Sequence, residues 1–268
     1  APTANAASGT VAEDGSVDVT LSGDDIDGDV LSYSLSNDAS NGSVVVNGSQ
    51  AIYTPNADYN GDDSFTFAVS DDGELRATAP VTVTVNAVND APIATTGLTG
   101  DTNEDQSVVV TLSGSDVDDA FLSYSLSTDA SNGSVDVVGS LATYTPSDNF
   151  YGSDSFTFSV SDGSESSSAS VSVSVSDIND APVLSSVADV IFDEDTTFVF
   201  EVTASDVDDD DLTYSVTGGT EITAEVHEDK VTFTPHENFN GSELFTATVT
   251  DSQGGDDTQT FTVTVNPV

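Results

Sequence analysis

One pattern runs through this 268-residue chain three times at an interval of about 90 residues, so any fold it adopts must be a tandem one. The acidic pairs Glu13-Asp14, Glu104-Asp105 and Glu194-Asp195 stand 91 and 90 residues apart, and Asp25-x-Asp27, Asp116-x-Asp118 and Asp206-x-Asp208 keep the same intervals. The register continues through Tyr53-Thr54-Pro55, Tyr144-Thr145-Pro146 and Phe233-Thr234-Pro235, then Gly61, Gly152 and Gly241, and ends on Asp71, Asp162 and Asp251. Three homologous domains are expected, at 1–89, 90–179 and 180–268, because units of this length each hold a small core of their own. Their joints are Val88-Asn89-Asp90-Ala91-Pro92 and Ile178-Asn179-Asp180-Ala181-Pro182. Ala1-Pro2 occupies the register of a joint ahead of repeat 1, so the chain reads as an internal piece of a longer protein.

Within each unit apolar residues alternate with Ser and Thr, as in Val108-Val110-Leu112, Phe156-Phe158-Val160 and Val171-Val173-Val175. A period of two belongs to strands with one covered and one wet face. Repeat 2 parses into strands near 93–97, 106–113, 121–126, 134–138, 141–145, 154–161 and 168–176. Seven antiparallel strands in about 90 residues make an all-β sandwich. Asn47-Gly48, between Val44-Val45-Val46 and Ala51-Ile52-Tyr53, is a hairpin signal, with Val138-Gly139 and His227-Glu228-Asp229-Lys230 at the equivalent turns. Asn41-Gly42-Ser43, Asn47-Gly48-Ser49, Asn132-Gly133-Ser134 and Asn240-Gly241-Ser242 also fit the glycosylation sequon, but Asn-Gly makes turns in any host. The aromatics, among them Tyr33, Tyr124 and Tyr214, recur at equivalent positions and alternate with polar residues, which assigns them to the core; no exposed aromatic platform stands out.

A formal net charge of -46, with only Arg76 and Lys230 positive, excludes nucleic acid and anionic membrane surfaces as partners. The natural counter-ion is a cation. No apolar run approaches the 18 or so residues of a spanning helix, so no membrane insertion is expected from this segment. The absence of Cys removes disulfides, zinc-thiolate sites and thiol catalysis together.

If each sandwich has its termini at opposite poles, the joint after repeat 2 meets the upper loops of repeat 3. One small volume then gathers Glu104, Asp105, Asp177, Asn179, Asp180, Asp206, Asp208 and Asp251. Each like-charged pair at about 4 Å costs roughly 1 kcal/mol even at the dielectric of water. Such a cluster calls for a metal, and hard oxygen ligands in irregular geometry select calcium, which takes 6–8 oxygens, over magnesium.

These residues resemble the cadherin-like tandem repeats of large bacterial surface proteins, including adhesins of the repeats-in-toxin class. The marks are the acidic pair after Ala-Pro, the Asp-x-Asp, the Tyr-Thr-Pro…Gly-x-Asp-Ser-Phe-Thr-Phe-x-Val-Ser-Asp run of repeats 1 and 2, and the Asn-Asp-Ala-Pro joint. The resemblance implies calcium at each joint, held by an upstream glutamate, the linker, an Asp-x-Asp and a late aspartate downstream. At joint 2/3 that pattern falls on Glu104, Asp177, Asn179, Asp180, Asp206, Asp208 and Asp251. At joint 1/2 it falls on Glu13 with its neighbour Asp14, Asn89, Asp90, Asp116, Asp118 and Asp162, with Ala87 standing where joint 2/3 has Asp177. Asp25, Asp27 and Asp71 would be the lower half of a site completed by an upstream domain, and Glu194-Asp195 would wait for a downstream one. The family's further acidic motif has only Asp58, Asn149 and Asn238 as counterparts.

The extra aspartates Asp209, Asp210 and Asp211, and scattered charges such as Glu165 and Asp257, are read as solvated surface. No catalytic function is expected, because equivalent acids recur at every joint and no nucleophile motif or phosphate loop is present. His227 and His236 lie in or beside turns of repeat 3 only. The expected role is a calcium-rigidified spacer in a bacterial surface or secreted protein, with neighbouring repeats of the same chain as partners and the fragment itself a monomer. Two alternatives remain open: repeats that bind polysaccharide or like repeats on another cell, and an appendage of a secreted enzyme.

Overall fold

The computed structural model describes residues 1–73 and 75–268. Every regular element among them is a strand, and the strands form three sandwiches in tandem. In repeat 2 one sheet holds four strands in the order Leu98–Asn103, Ser166–Ser176, Gly152–Ser161, Ser123–Thr128. The other holds Val108–Thr111, Leu141–Pro146 and Gly133–Val138. The short pair Ile93–Ala94 with Gly114–Ser115 closes the upper end. Repeats 1 and 3 have the same two sheets in the same order.

Alternation sorts the side chains as expected. Along Ser166–Ser176, Ala169, Val171, Val173 and Val175 are buried while the intervening serines face water. With Phe156, Phe158, Val160, Tyr144 and Leu112 they form one core per repeat, and equivalent residues build the other two. Burial of a Phe, Leu or Val contributes about 1.5–3 kcal/mol each, so these cores carry the stability of the units.

The seven expected strands are present in outline, with the first one altered. Instead of running 93–97, the chain pairs briefly at Ile93–Ala94, turns at Gly97 with φ of +77°, and re-enters the other sheet as Leu98–Asn103. That segment lies parallel to Ser166–Ser176, Leu98 opposite Val171 through Asn103 opposite Ser176, whereas the other ladders of repeat 2 are antiparallel. Gly100-Asp101-Thr102-Asn103 lies outside the expected strands. It pairs because a sheet edge recruits backbone groups whatever the side chains, and because Gly100 lets Val110 close over it: a Cβ there would meet Val110 Cγ2 at 2.9 Å.

The strand expected at 121–126 begins at Ser123, which leaves Phe121 on the loop after Asp116-x-Asp118 with 91% of its surface exposed. The aromatics are therefore not all core. The hairpin turns also shift by one residue. Asn47 is still paired with Gln50, so the turn residues are Gly48-Ser49, and Gly48 takes the positive φ.

Each repeat also binds one acid of its penultimate strand to a cluster of backbone amides, and of the three Asp63 is buried while Asp154 and Glu243 are partly so. Asp63 is 8% exposed and accepts the amides of Ser40 (3.2 Å), Asn41 (2.9 Å) and Ser64 (2.8 Å) and the Tyr53 hydroxyl (3.0 Å). Asp154 does the same for Ser131, Asn132, Ser155 and Tyr144. In repeat 3, where Phe233 replaces the tyrosine, Glu243 accepts the amides of Thr220, Glu221 and Ile222 and the Thr220 hydroxyl. Burial opposes ionisation of all three, but these donors outweigh it and hold each carboxyl below its usual range. Burial and the neighbouring carboxylate push the Tyr144 hydroxyl up to about 12.

Candidate metal centre

The joints assemble from three local devices. The first strand of each large sheet ends on the acidic pair. Its glutamate turns inward under the linker, where Glu13 Oε1 accepts the Val88 amide at 2.6 Å and Glu104 Oε1 accepts the Ile178 amide at 2.6 Å. Next, the Asp-x-Asp loop closes on itself, with the Asp118 amide donating to Asp116 Oδ1 (2.8 Å) and the Asp208 amide to Asp206 Oδ1 (2.9 Å). Finally, the linker plugs into that loop. The Asp90 amide donates to Asp118 Oδ2 (2.8 Å) and the Asp180 amide to Asp208 Oδ2 (2.7 Å). The linker asparagines reach the late aspartates, Asn89 Nδ2 to Asp162 at 2.8 Å and Asn179 Nδ2 to Asp251 at 2.9 Å.

The result brings carboxylates from two domains together. One oxygen from each of Glu13, Asp90 and Asp118 lies within 4.8 Å of the others, and the same holds for Glu104, Asp177 and Asp208. Asp14 and Asp105 remain exposed at the rim but act on the linker acids by charge. Asp90 is pushed up first by burial and then by Asp14, Asp118, Asp58 and Glu13. Asp180 is pushed up by burial and by Asp105, Asp208, Asp206 and Asp177. For Glu104 the Ile178 amide pulls down, yet burial with Asp177 and Asp180 prevails and the carboxyl is raised. Asp162 is held low by the Glu165 amide, Asn89 and the Ser164 amide, and Asp251 by Asn179 and the amides of Gly255, Gln253 and Gly254.

The upper end of repeat 1 repeats the pattern with one new member. Asp25, Asp29 and Asp71 bring oxygens within 4.8 Å of one another, and the Asp27 amide donates to Asp25 Oδ1 at 2.8 Å. The Ala1 ammonium lies 3.3 Å from Asp25 and 3.9 Å from Asp27. At the far end Glu194 Oε1 accepts the Val268 amide at 2.9 Å, as its two counterparts accept theirs.

Two readings of the surface charges need correction. Asp210 is not simply solvated. It joins Asp206 and Asp208 within 4.8 Å and accepts Ser252 Oγ and Gln253 Nε2 at 3.2 and 3.1 Å. The signal was the continuation of Asp-x-Asp into Asp-x-Asp-x-Asp in repeats 1 and 3, where repeat 2 has Ala120. Asp257 accepts the Leu184 amide at 2.9 Å and so pins the entry of repeat 3. Asp209 and Asp211 are exposed, and the His236 ring lies 3.2 Å from the Glu221 carboxylate on the surface.

The donor set can be tested for fit to a hard cation through its unused atoms. At joint 1/2, Glu13 Oε2, Asp90 Oδ2 and Asp116 Oδ2 are buried and accept no hydrogen bond from any described residue. At joint 2/3 the same is true of Glu104 Oε2, Asn179 Oδ1, Asp180 Oδ2 and Asp206 Oδ2. Glu13 and Glu104 are only 2% and 4% exposed. Buried anionic oxygens without donors are rare and costly, and a divalent cation with oxygen preference satisfies them together.

Comparisons place the fold. No curated protein sequence matches significantly. Among solved structures, mouse cadherin-23 EC22-24 is similar at 19% identity and a TM-score of 0.65, over 100% of this chain and 99% of that one. Protocadherin gammaB7 EC3-6, described as a cis-dimer, is similar at 19% identity and a TM-score of 0.62, over 99% and 73%. The protocadherin GammaB4 extracellular domain gives 17% identity and a TM-score of 0.62, over 99% and 49%. At these identities the likeness is one of fold: tandem cadherin-type sandwiches joined end to end. Among the described residues, no helix is long and apolar enough to cross a membrane. The bacterial Ig domain profile matches residues 1–84, 89–175 and 179–264, and the chain belongs to that family as three consecutive repeats.

Proposed function

We propose that this chain is a calcium-rigidified extracellular spacer from a large bacterial surface adhesin, of the kind its sequence resembles. The observation that carries the reading is the set of buried, donor-free oxygens at both joints, contributed by the upstream domain, the linker and the downstream domain together. Calcium supplies the positive charge and multiple oxygen coordination that these atoms lack. Glu104, Asp105, Asp177, Asn179, Asp180, Asp206, Asp208 and Asp251 would hold it at joint 2/3. Glu13, Asp14, Asn89, Asp90, Asp116, Asp118 and Asp162 would hold it at joint 1/2, with Asp25, Asp27 and Asp71 forming a half-site at the upper end. The protein's own part is to pre-place the ligands. Glu13 and Glu104 are aimed by the linker amides they accept, and Asp116 and Asp206 by the turns they cap.

The sandwich cores are complete without an ion, while the joints are not. Metal binding is thus coupled to ordering of the joints rather than to folding of the units. Small-angle scattering in calcium and then in excess chelator tests this directly. An extended particle in calcium that becomes a flexible chain of intact domains in chelator supports the spacer; an unchanged profile removes it.

A second reading, a module that grips polysaccharide or like repeats on another cell, draws support from Phe121 and Ile26, exposed at 91% and 94% on equivalent upper loops. Retention on immobilised polysaccharide, lost in Phe121→Ser, would favour it.

A further inference from the structure

Gly42–Asn47, Gly133–Val138 and Ile222–His227 occupy the same place in their repeats, each a free edge of a three-stranded sheet, and two of the three are blunted. In an antiparallel hairpin alternate residues turn their amides and carbonyls away from the neighbouring strand. Asn41 O accepts the Asn56 amide at 2.8 Å, which fixes the phase: Ser43, Val45 and Asn47 bond to Gln50–Pro55, while Gly42, Val44 and Val46 point their backbone groups out of the edge. In repeat 2 the outward amide of Val135, the counterpart of Val44, is taken by Asp129 Oδ1 at 2.9 Å, and Asp136 stands exposed beside it. In repeat 3 the outward amide of Ile222 is taken by Glu243 Oε2 at 2.9 Å, and Glu225 stands exposed at the place of Asp136. Charges so placed are how sheets keep foreign strands off an edge.

Repeat 1 has neither device. Asp38, the counterpart of Asp129, caps the Ala39 amide at 2.9 Å, and no side chain among the described residues accepts the Val44 amide. The place of Asp136 and Glu225 is taken by Val45, 62% exposed, whose cross-strand neighbour Ile52 is 38% exposed. Asp18, the acid of that sheet face, lies beyond Ile52, away from the edge. Val44-Val45-Val46 are β-branched and hold the extended form that pairing requires.

Charge selects what can dock there. Ala39–Ala57, which contains the whole hairpin, is the longest run without a charged residue in a chain of net charge -46. A cationic partner is drawn to the acidic loops rather than to an uncharged edge. A second copy is repelled by those loops and meets no charge on this strand. The edge is also self-complementary. About a two-fold axis at Val45, Val44 and Val46 of one chain exchange backbone bonds with Val46 and Val44 of the other, and Val45 lies against its own counterpart. Val45 and Ile52 of both copies then form one apolar strip.

We propose that the Gly42–Asn47 edge of repeat 1 is a self-association site, where a second copy of this chain adds antiparallel to make one continuous sheet. The monomer expected from the sequence is then the low-salt form, in which the remaining charge keeps the chains apart. The inference rests on the part of the second reading above in which like repeats bind one another, and it is independent of calcium.

The test is sedimentation velocity of the full chain, in chelator so that no cation bridges carboxylates, from low to high salt. A monomer at low salt should pass reversibly into a dimer as screening rises. Val45→Asp copies what repeats 2 and 3 carry at an exposed position, so repeat 1 should melt as before while the dimer is lost. Because the chain contains no cysteine, Val45→Cys places a single thiol on the two-fold axis, and mild oxidation should yield a disulfide-linked dimer. Asp136→Cys, on the blunted edge of repeat 2, should yield none. A dimer that survives Val45→Asp, or equal cross-linking of the two Cys variants, overturns this surface and leaves association of like repeats to another one. A monomer at every salt and protein concentration overturns both.

Discussion

Asp63 and Glu13 are both nearly buried acids of repeat 1, and they are opposites. Asp63 is surrounded by three backbone amides and a tyrosine hydroxyl, so both its oxygens are satisfied and its carboxyl is held below the usual range. Glu13 has one oxygen on the Val88 amide and the other buried with no donor. The same contrast separates Asp154 from Glu104 one repeat later. Burial alone does not distinguish a structural acid from a ligand. The count of donors does, because an interior anion with a full set stabilises its surroundings and one with an incomplete set needs a partner from outside the chain.

Removing the satisfied acid should cost the most. Asp63→Leu leaves the Ser40, Asn41 and Ser64 amides and the Tyr53 hydroxyl unpaired inside repeat 1, and an expected loss of about 4 kcal/mol would appear in hydrogen exchange of that repeat alone. Calcium response at joint 2/3 should not move. Removing the unsatisfied acid should reverse both outcomes. Glu104→Gln keeps an acceptor for the Ile178 amide, so repeat 2 should melt within about 1 kcal/mol of the parent in chelator. Calcium affinity at joint 2/3 should drop about a hundredfold by calorimetry, equivalent to about 2.7 kcal/mol. A melting loss larger than the affinity loss would erase the distinction drawn here.

Acid sharpens the comparison further. Asp63, Asp154 and Glu243 ionise more readily in the fold than in the unfolded chain, whose values are near 3.8 for Asp and 4.5 for Glu. Their contribution is present above those values and is lost as pH falls through the depressed ones. The sandwiches should therefore weaken as pH falls below about 4, followed by circular dichroism in chelator. Sandwiches that become more stable over that range would contradict the donor count. The smallest effect is expected from Tyr53→Phe, about 1 kcal/mol, because Asp63 keeps its three amides and repeat 3 already carries Phe233 at that place.

Much of this was legible before the fold was known. A register held across three units separates residues with a repeated role from those free to drift, and alternation separates inward from outward positions. That sufficed for three sandwiches and for the grouping of Glu104, Asp177 and Asp208. What escaped was anything defined by what a residue faces rather than by its spacing. Asp210 and Asp257 looked like surplus charge until the loop and the entry strand folded against them. Leu98–Asn103 fell outside the expected strands because edge pairing is a property of the partner's free backbone groups. Asp63 and Asp154 sat in plain view in the Gly-x-Asp-Ser run, yet nothing in a linear pattern says that Ser40 and Asn41, more than twenty residues away, will present their amides to Asp63.

The parallel pairing of first and last strands has a mechanical meaning. In repeat 1 the register runs from Ala7 opposite Val81 to Ala12 opposite Asn86, and the chain enters at one end of this ladder and leaves at the other. Tension applied along the protein pulls the two strands past each other, so the rungs are loaded together rather than opened one at a time. Repeat 3 has only four registered positions, Val190 to Asp193, against six in each of the others. Under load it is the link expected to give first.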